Sequence, residues 1–180
     1  MKPPLSPLIL LLSLAVLASA ELRAGEEGVA CVPSGNGRLQ MAFSGAFEDA
    51  VDWNNDGTHC QGGPRPDGDA VRLMFSRDDD ALLVVIGITG LERGRPASGL
   101  LANLTIVRQG LGEFYGTLGA DACIVDVEEN VLEASSVEAY RIGGQGRCLA
   151  PIEAVAREGE VRVAPFVFTG IAYWPEDEHD

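Results

Sequence analysis

Lysine is almost missing from this chain of 180 residues: Lys2 is the only one. Histidine is nearly as scarce, with His59 beside a cysteine and His179 one residue from the end. That leaves no material for a histidine-based metal cluster or a Ser-His-Asp relay. No G-x-S-x-G elbow, H-E-x-x-H pair or phosphate-binding glycine loop occurs. No 3.6-period amphipathic stretch of any length is present, which excludes helical bundles. Beyond the N-terminus no apolar run approaches the roughly 20 residues that a spanning helix needs. The longest, Leu82 to Leu91, suits a strand buried on both faces.

The N-terminus follows the plan of an export signal. Lys2 supplies the positive charge, Leu8 to Ala18 the apolar stretch, and Ala18-Ser19-Ala20 the small-x-small pattern. Residues 1–20 therefore read as a signal peptide cut before Glu21. The residue directly after the cut is Glu21 and not a cysteine, so no lipid anchor is expected, and the mature chain is expected to keep no membrane anchor. None of the 27 acidic residues precedes Glu21, so the mature part carries 12 arginines against 27 acids, a net charge of 12 − 27 = −15. That charge disfavours nucleic acid and anionic membrane surfaces as partners and favours cations or basic surfaces.

Four cysteines, Cys31, Cys60, Cys123 and Cys148, follow the cut. An even number in an exported chain reads as two disulfides, and the absence of C-x-x-C spacing argues against zinc. Pairing Cys31 with Cys60 and Cys123 with Cys148 closes two modest loops, each contributing about 3–4 kcal/mol on the chain-entropy argument. The expected location is secreted or periplasmic.

Residues 21–36, rich in glycine and polar groups, read as a loose lead-in. Residues 37–175 make one domain, and the acidic 176–180 a solvated tail. Period-two alternation dominates the domain: Leu39, Met41 and Phe43; Val71, Leu73 and Phe75; Val161 and Val163; Phe166 and Phe168. Leu100 to Val107, Glu113 to Thr117, Ala122 to Val127 and Val137 to Ile142 are further strands, and Pro151 to Arg157 reads as a helical turn. Frequent Gly, Asp and Pro turn signals separate them. The expected fold is all-β: an antiparallel sandwich, jelly-roll or immunoglobulin-like, or a barrel, of eight to ten short strands. Phe43-Ser44-Gly45 before Asp52-Trp53 echoes Phe168-Thr169-Gly170 before Tyr173-Trp174, which suggests that the first and last strands lie side by side.

One loop resembles half of a calcium site. Asp52-Trp53-Asn54-Asn55-Asp56-Gly57-Thr58 fits D-x-N-x-D-G, in which Asp52, Asn54 and Asp56 offer side-chain oxygens and Thr58 its carbonyl. Position 12, where the bidentate glutamate belongs, is Gly63, so Asp67 or Asp69, or a carboxylate from a distant strand, would have to close the site. The competing reading is an Asn-Asp-Gly hairpin turn. A second acidic group, Asp126, Glu128, Glu129, Asn130 and Glu133, reads as the solvated face of a strand. The sequon Asn103-Leu104-Thr105 lies within a strand. For catalysis only a carboxylate pair remains, as in glycosidases.

Asp52-Trp53, Gly57-Thr58-x-Cys60-x-Gly62, Arg65-Pro66-Asp67-Gly68 and Arg72-Leu73, within Asp52 to Phe75, resemble uncharacterised exported proteins of GC-rich Gram-negative bacteria. That resemblance implies a periplasmic or secreted location and no particular activity. By elimination, the sequence points to an exported, non-enzymatic binding or structural module, with calcium in one loop as its possible cofactor. The alternatives are an envelope or glycan hydrolase using two carboxylates, and an inhibitor or interaction protein that presents an acidic face to a basic partner.

Overall fold

The computed structural model describes residues 30–66, 70–117 and 122–175. The expected signal peptide, most of the lead-in, Asp67, Asp69 and the tail lie outside them. Twelve strands follow in order: β1 (Arg38–Gly45), β2 (Asp49–Asn54), β3 (Thr58–Pro64), β4 (Ala70–Arg77), β5 (Leu82–Thr89), β6 (Ala97–Arg108), β7 (Glu113–Gly116), β8 (Cys123–Leu132), β9 (Ala139–Cys148), β10 (Ile152–Ala154), β11 (Glu160–Val163) and β12 (Phe166–Tyr173). No helix forms among the described residues. The all-β expectation holds, and both disulfides pair as expected, Cys31 with Cys60 and Cys123 with Cys148.

All pairings are antiparallel, and two long strands turn the sheet into a sandwich. The first part of β1 pairs with β12, with Leu39 opposite Phe168, and its last residues pair with β11, with Phe43 opposite Val163. Likewise β6 pairs with β8 around Leu101 and with β7 from Thr105 onward. One layer therefore runs β2-β1-β12-β9-β8 and ends on the start of β6. The other runs β3-β4-β5-β6-β7-β10-β11 and ends on the last residues of β1. The core between them takes alternate residues from each strand: Leu39 from β1, Leu73 and Phe75 from β4, Ile86 and Ile88 from β5, Leu104 and Ile106 from β6, and Phe166 and Phe168 from β12. The layers meet closely at Gly170, where an added Cβ would lie 2.8 Å from the Phe75 ring.

Four expectations need correction. The strand count is twelve, because β2, β3 and β10 carry too little alternation to read as strands. Pro151 to Arg157 is not a helical turn: Ile152–Ala154 pairs with both β7 and β11. β5 is not buried on both faces. Leu82, Val84, Ile86 and Ile88 are buried, while Leu83 and Val85 on the other face stay partly exposed. A two-layer sandwich has nothing of its own to place there. Finally, the end of the lead-in is fastened rather than loose. Cys31 and Val32 join the core, and Ala30 bridges to Asp56. The first and last long strands are neighbours as anticipated, but the two tryptophans part company: Trp53 donates to Asp80 at 3.2 Å, and Trp174 packs edge-on against Tyr140.

Candidate functional site

The aspartate-rich segment forms the turn between β2 and β3. Asp52 and Asn54 sit on extended β2, both exposed, with Asp52 4.0 Å from the Arg38 guanidinium. Gly57 takes a φ of +75°, which glycine adopts without strain. Thr58 is buried and its hydroxyl donates to the Asn54 carbonyl at 2.6 Å. The backbone carbonyl of Asp56 accepts from Arg77. The residue that organises the turn is Asn55, which sequence reasoning passed over. Its Oδ1 accepts from the backbone N–H groups of Val32 and Gly37, at 2.8 and 3.0 Å, and its carbonyl accepts from Cys31. An extended strand points its side chains away from the curl that a calcium loop requires. Among the described residues no three Asp, Glu, His or Cys side chains gather where they would hold a metal.

The second acidic group is not a solvated face throughout. A register shift between Val127 and Glu129 redirects the strand. Beyond it, Glu129 and Glu133 both reach Arg141 on β9, at 2.5 and 2.8 Å. The Glu133 side chain is 1% exposed and also accepts from Ser34 at 2.9 Å, which ties the N-terminal segment to the β8–β9 hairpin. Asn130 is buried and donates to the carbonyls of Glu92 and Arg95. Asp126 accepts from the Gly99 N–H, and Glu128 from Gln145. The Arg141 hydrogen bond holds the Glu129 carboxyl below its ordinary pKa.

A similar hub lies at the end of β7. Burial alone would raise the Glu113 carboxyl, but Arg108 at 2.8 Å and Arg157 at 2.6 Å outweigh it and pull it down. Arg157 also donates to the Tyr115 hydroxyl. Asp79 is lowered by Arg77 in the same way. A glycosidase general acid needs a raised carboxyl pKa. Among the described carboxyls, every resolved shift runs downward.

The two outer surfaces of the sandwich differ in kind. On the first layer, cross-strand register lines up Asp52, Gln40, Val167, Gln145 and Asp126 in one row over β2, β1, β12, β9 and β8. Shallow depressions open at its two ends, one lined by Arg38, Asp52 and Asn54, the other by Asp126, Gln145 and Arg147. Four steps of about 4.8 Å separate Asp52 from Asp126, roughly 19 Å, too far for a carboxylate pair acting on one bond.

On the second layer the row Ser76, Leu83, Val107, Phe114 crosses β4, β5, β6 and β7, and beside it runs Met74, Val85, Thr105 and Gly116. Phe114 is 49% exposed and Val155, hydrogen-bonded through its N–H to the Phe114 carbonyl, also 49%. From β3 to β7 no outward strand position is Asp or Glu. At the β3 side of this face a groove of about 290 Å³ is lined by Gln61, Pro64, Arg72 and Met74 among others. Searches against protein families, characterised proteins and solved structures find no match for this chain.

Proposed function

We propose that this is an exported, non-enzymatic interaction module whose working surface is the outer face of β4, β5, β6 and β7. The observation that carries the reading is β5. Its run Leu82 to Thr89 is apolar at nearly every position, as in a strand covered on both faces, yet among the described residues only one face is fully buried. Met74, Leu83, Val85, Val107, Phe114 and Val155 then form a contiguous apolar patch on a protein otherwise dense in carboxylates. A patch of that kind marks an interaction site. The export half of the reading is supported by two disulfides, which are consistent with an oxidising compartment. A secreted or periplasmic address, with the signal peptide removed, is part of the proposal. The lowered carboxyls and the hairpin geometry at Asp52 to Thr58 leave catalysis and calcium out of it.

The test is site-specific photo-cross-linking in the native compartment, with the reactive group at position 85 or 107, and at position 40 on the polar face as control. Cross-links to a protein at 85 and 107 but not at 40 are expected. Equal yields at all three positions, or none at any, would overturn the reading, as would free thiols in protein recovered from that compartment.

A further inference from the structure

We infer that the occupant of this face is a second copy of the same chain, packed face to face about a two-fold axis along β6. The inference rests on the interaction face proposed above and names its partner.

Two charged side chains bracket the apolar patch. Arg72 on β4 lies between Gly63 and Gly87 in register, and Glu153 on β10 lies opposite Gly116. Both are exposed, and neither makes an ion pair among the described residues. The strands between them run β4-β5-β6-β7-β10, so β6 is the midpoint. A two-fold axis parallel to β6 lays β4 of one copy over β10 of the other, and β5 over β7. The consequences follow from register alone. Leu83, Val107 and Phe114 share one row, so Val107 meets itself on the axis and each Leu83 meets the other copy's Phe114. Arg72 stands one same-face step, about 7 Å, along the strand from the row that ends in Glu153, within reach of a guanidinium. Symmetry makes that ion pair twice. An isologous interface requires this self-complementarity.

The rest of the surface would resist such a contact. Two chains of net charge near −15 repel wherever carboxylates face each other; among the outward positions of β4 to β7 and β10, Glu153 is the only acid, and the two-fold sets it near Arg72. A two-fold along the strands also keeps the stacked sheets aligned, the arrangement that sheet faces favour. Five strands about 4.8 Å apart and some 20 Å long give a footprint of roughly 500 Å², below the ~800 Å² per partner of a standard stable interface. The dimer is therefore reversible and concentration-dependent.

Sedimentation velocity over a concentration series, on the mature chain with its disulfides intact, tests this. The mass should rise from one chain to two as concentration increases. Val107→Glu should hold it at one chain with an unchanged circular dichroism spectrum. Arg72→Glu should weaken the dimer roughly tenfold, and adding Glu153→Arg should restore it, which no unfolding effect would mimic. A dimer indifferent to Val107→Glu, or a charge swap without recovery, overturns the inference. A chain that stays single at every concentration but still cross-links from position 85 to another protein overturns the second copy and leaves the interaction face standing. A single chain with no cross-link overturns both.

Discussion

The same core carries two outer faces that obey different rules. Over β2, β1, β12, β9 and β8 one outward row reads Asp52, Gln40, Val167, Gln145 and Asp126, polar at every position but Val167. Over β4 to β7 the same outward alternation delivers Met74, Leu83, Val85, Val107 and Phe114. Both layers satisfy the inward demand equally: Phe168 and Ile142 are as buried as Ile86 and Ile106. The inward demand therefore does not account for the difference between the two outer faces. The proposed interaction face is a reading of that contrast.

The largest effect that bears on the contrast lies on the polar side. If that face were only solvated, losing one arginine would change little. Arg141→Ala should instead lower stability by about 3–5 kcal/mol, because Glu133 would remain buried with its charge unpaired. Urea melts of both proteins measure it. A loss under about 1 kcal/mol would mean that the Arg141 cluster is an ordinary surface pair.

The layers also differ in how they are fastened. Cys123 and Cys148 face each other in register on β8 and β9, so the polar-faced layer carries a staple between neighbouring strands. The other bond ties the lead-in, through Cys31, to the outermost strand of the second layer, through Cys60 on β3. Replacing Cys123 and Cys148 with serine should cost about 3 kcal/mol, as expected for a loop of 25 residues. Hydrogen exchange in the double variant should quicken along β8 and β9 and stay slow in β5 and β6. Equal acceleration across both layers would deny the difference in fastening.

Much of this was readable beforehand, for definite reasons. Strands with clean alternation, such as Leu39-x-Met41-x-Phe43, announce themselves, and cysteines that close loops of moderate length pair as arithmetic suggests. β3 does not announce itself. It reads His59-Cys60-Gln61-Gly62-Gly63-Pro64, and Gly62 is needed because an added Cβ would sit 2.6 Å from the Ile171 carbonyl oxygen. The Glu129-Arg141-Glu133 cluster was equally hidden, since it depends on the register shift after Val127. Asn55 was masked by the three oxygen-bearing residues that suggested calcium. The apolar face was visible as the run Leu82 to Leu91, but a run of that kind does not say whether its second cover comes from the same chain.

Acid should separate the two charge hubs from the uncharged face. Glu129 and Glu113 both titrate below their ordinary value of 4.5 in the fold, Glu129 through Arg141, Glu113 through Arg108 and Arg157 against the opposing effect of burial. A carboxyl whose folded pKa is depressed lends stability that is complete above its unfolded value and fades as pH falls through the folded one. Thermal melts should therefore be level near neutrality and fall below about pH 4.5. Glu129→Gln should flatten that fall while lowering the plateau. A fall in Tm that begins well above pH 5 would assign the acid sensitivity to some other group.

The smallest effect is the most discriminating. In dilute protein, Gln40→Ala on the polar face and Val107→Thr on the apolar one should each change stability by no more than about 0.5–1 kcal/mol, because both side chains stay partly exposed in the single chain. Concentration then tells them apart. A species that associates only when folded gains stability from its partner by mass action, so Tm should climb with concentration in the unaltered chain and in Gln40→Ala. Val107→Thr puts a hydroxyl on the two-fold axis against its own copy, and its Tm should stay flat. If Val107→Thr proved as costly in dilute solution as a core truncation, above about 2 kcal/mol, Val107 would be serving the fold of the single chain, and the apolar outer face would need no partner to explain it.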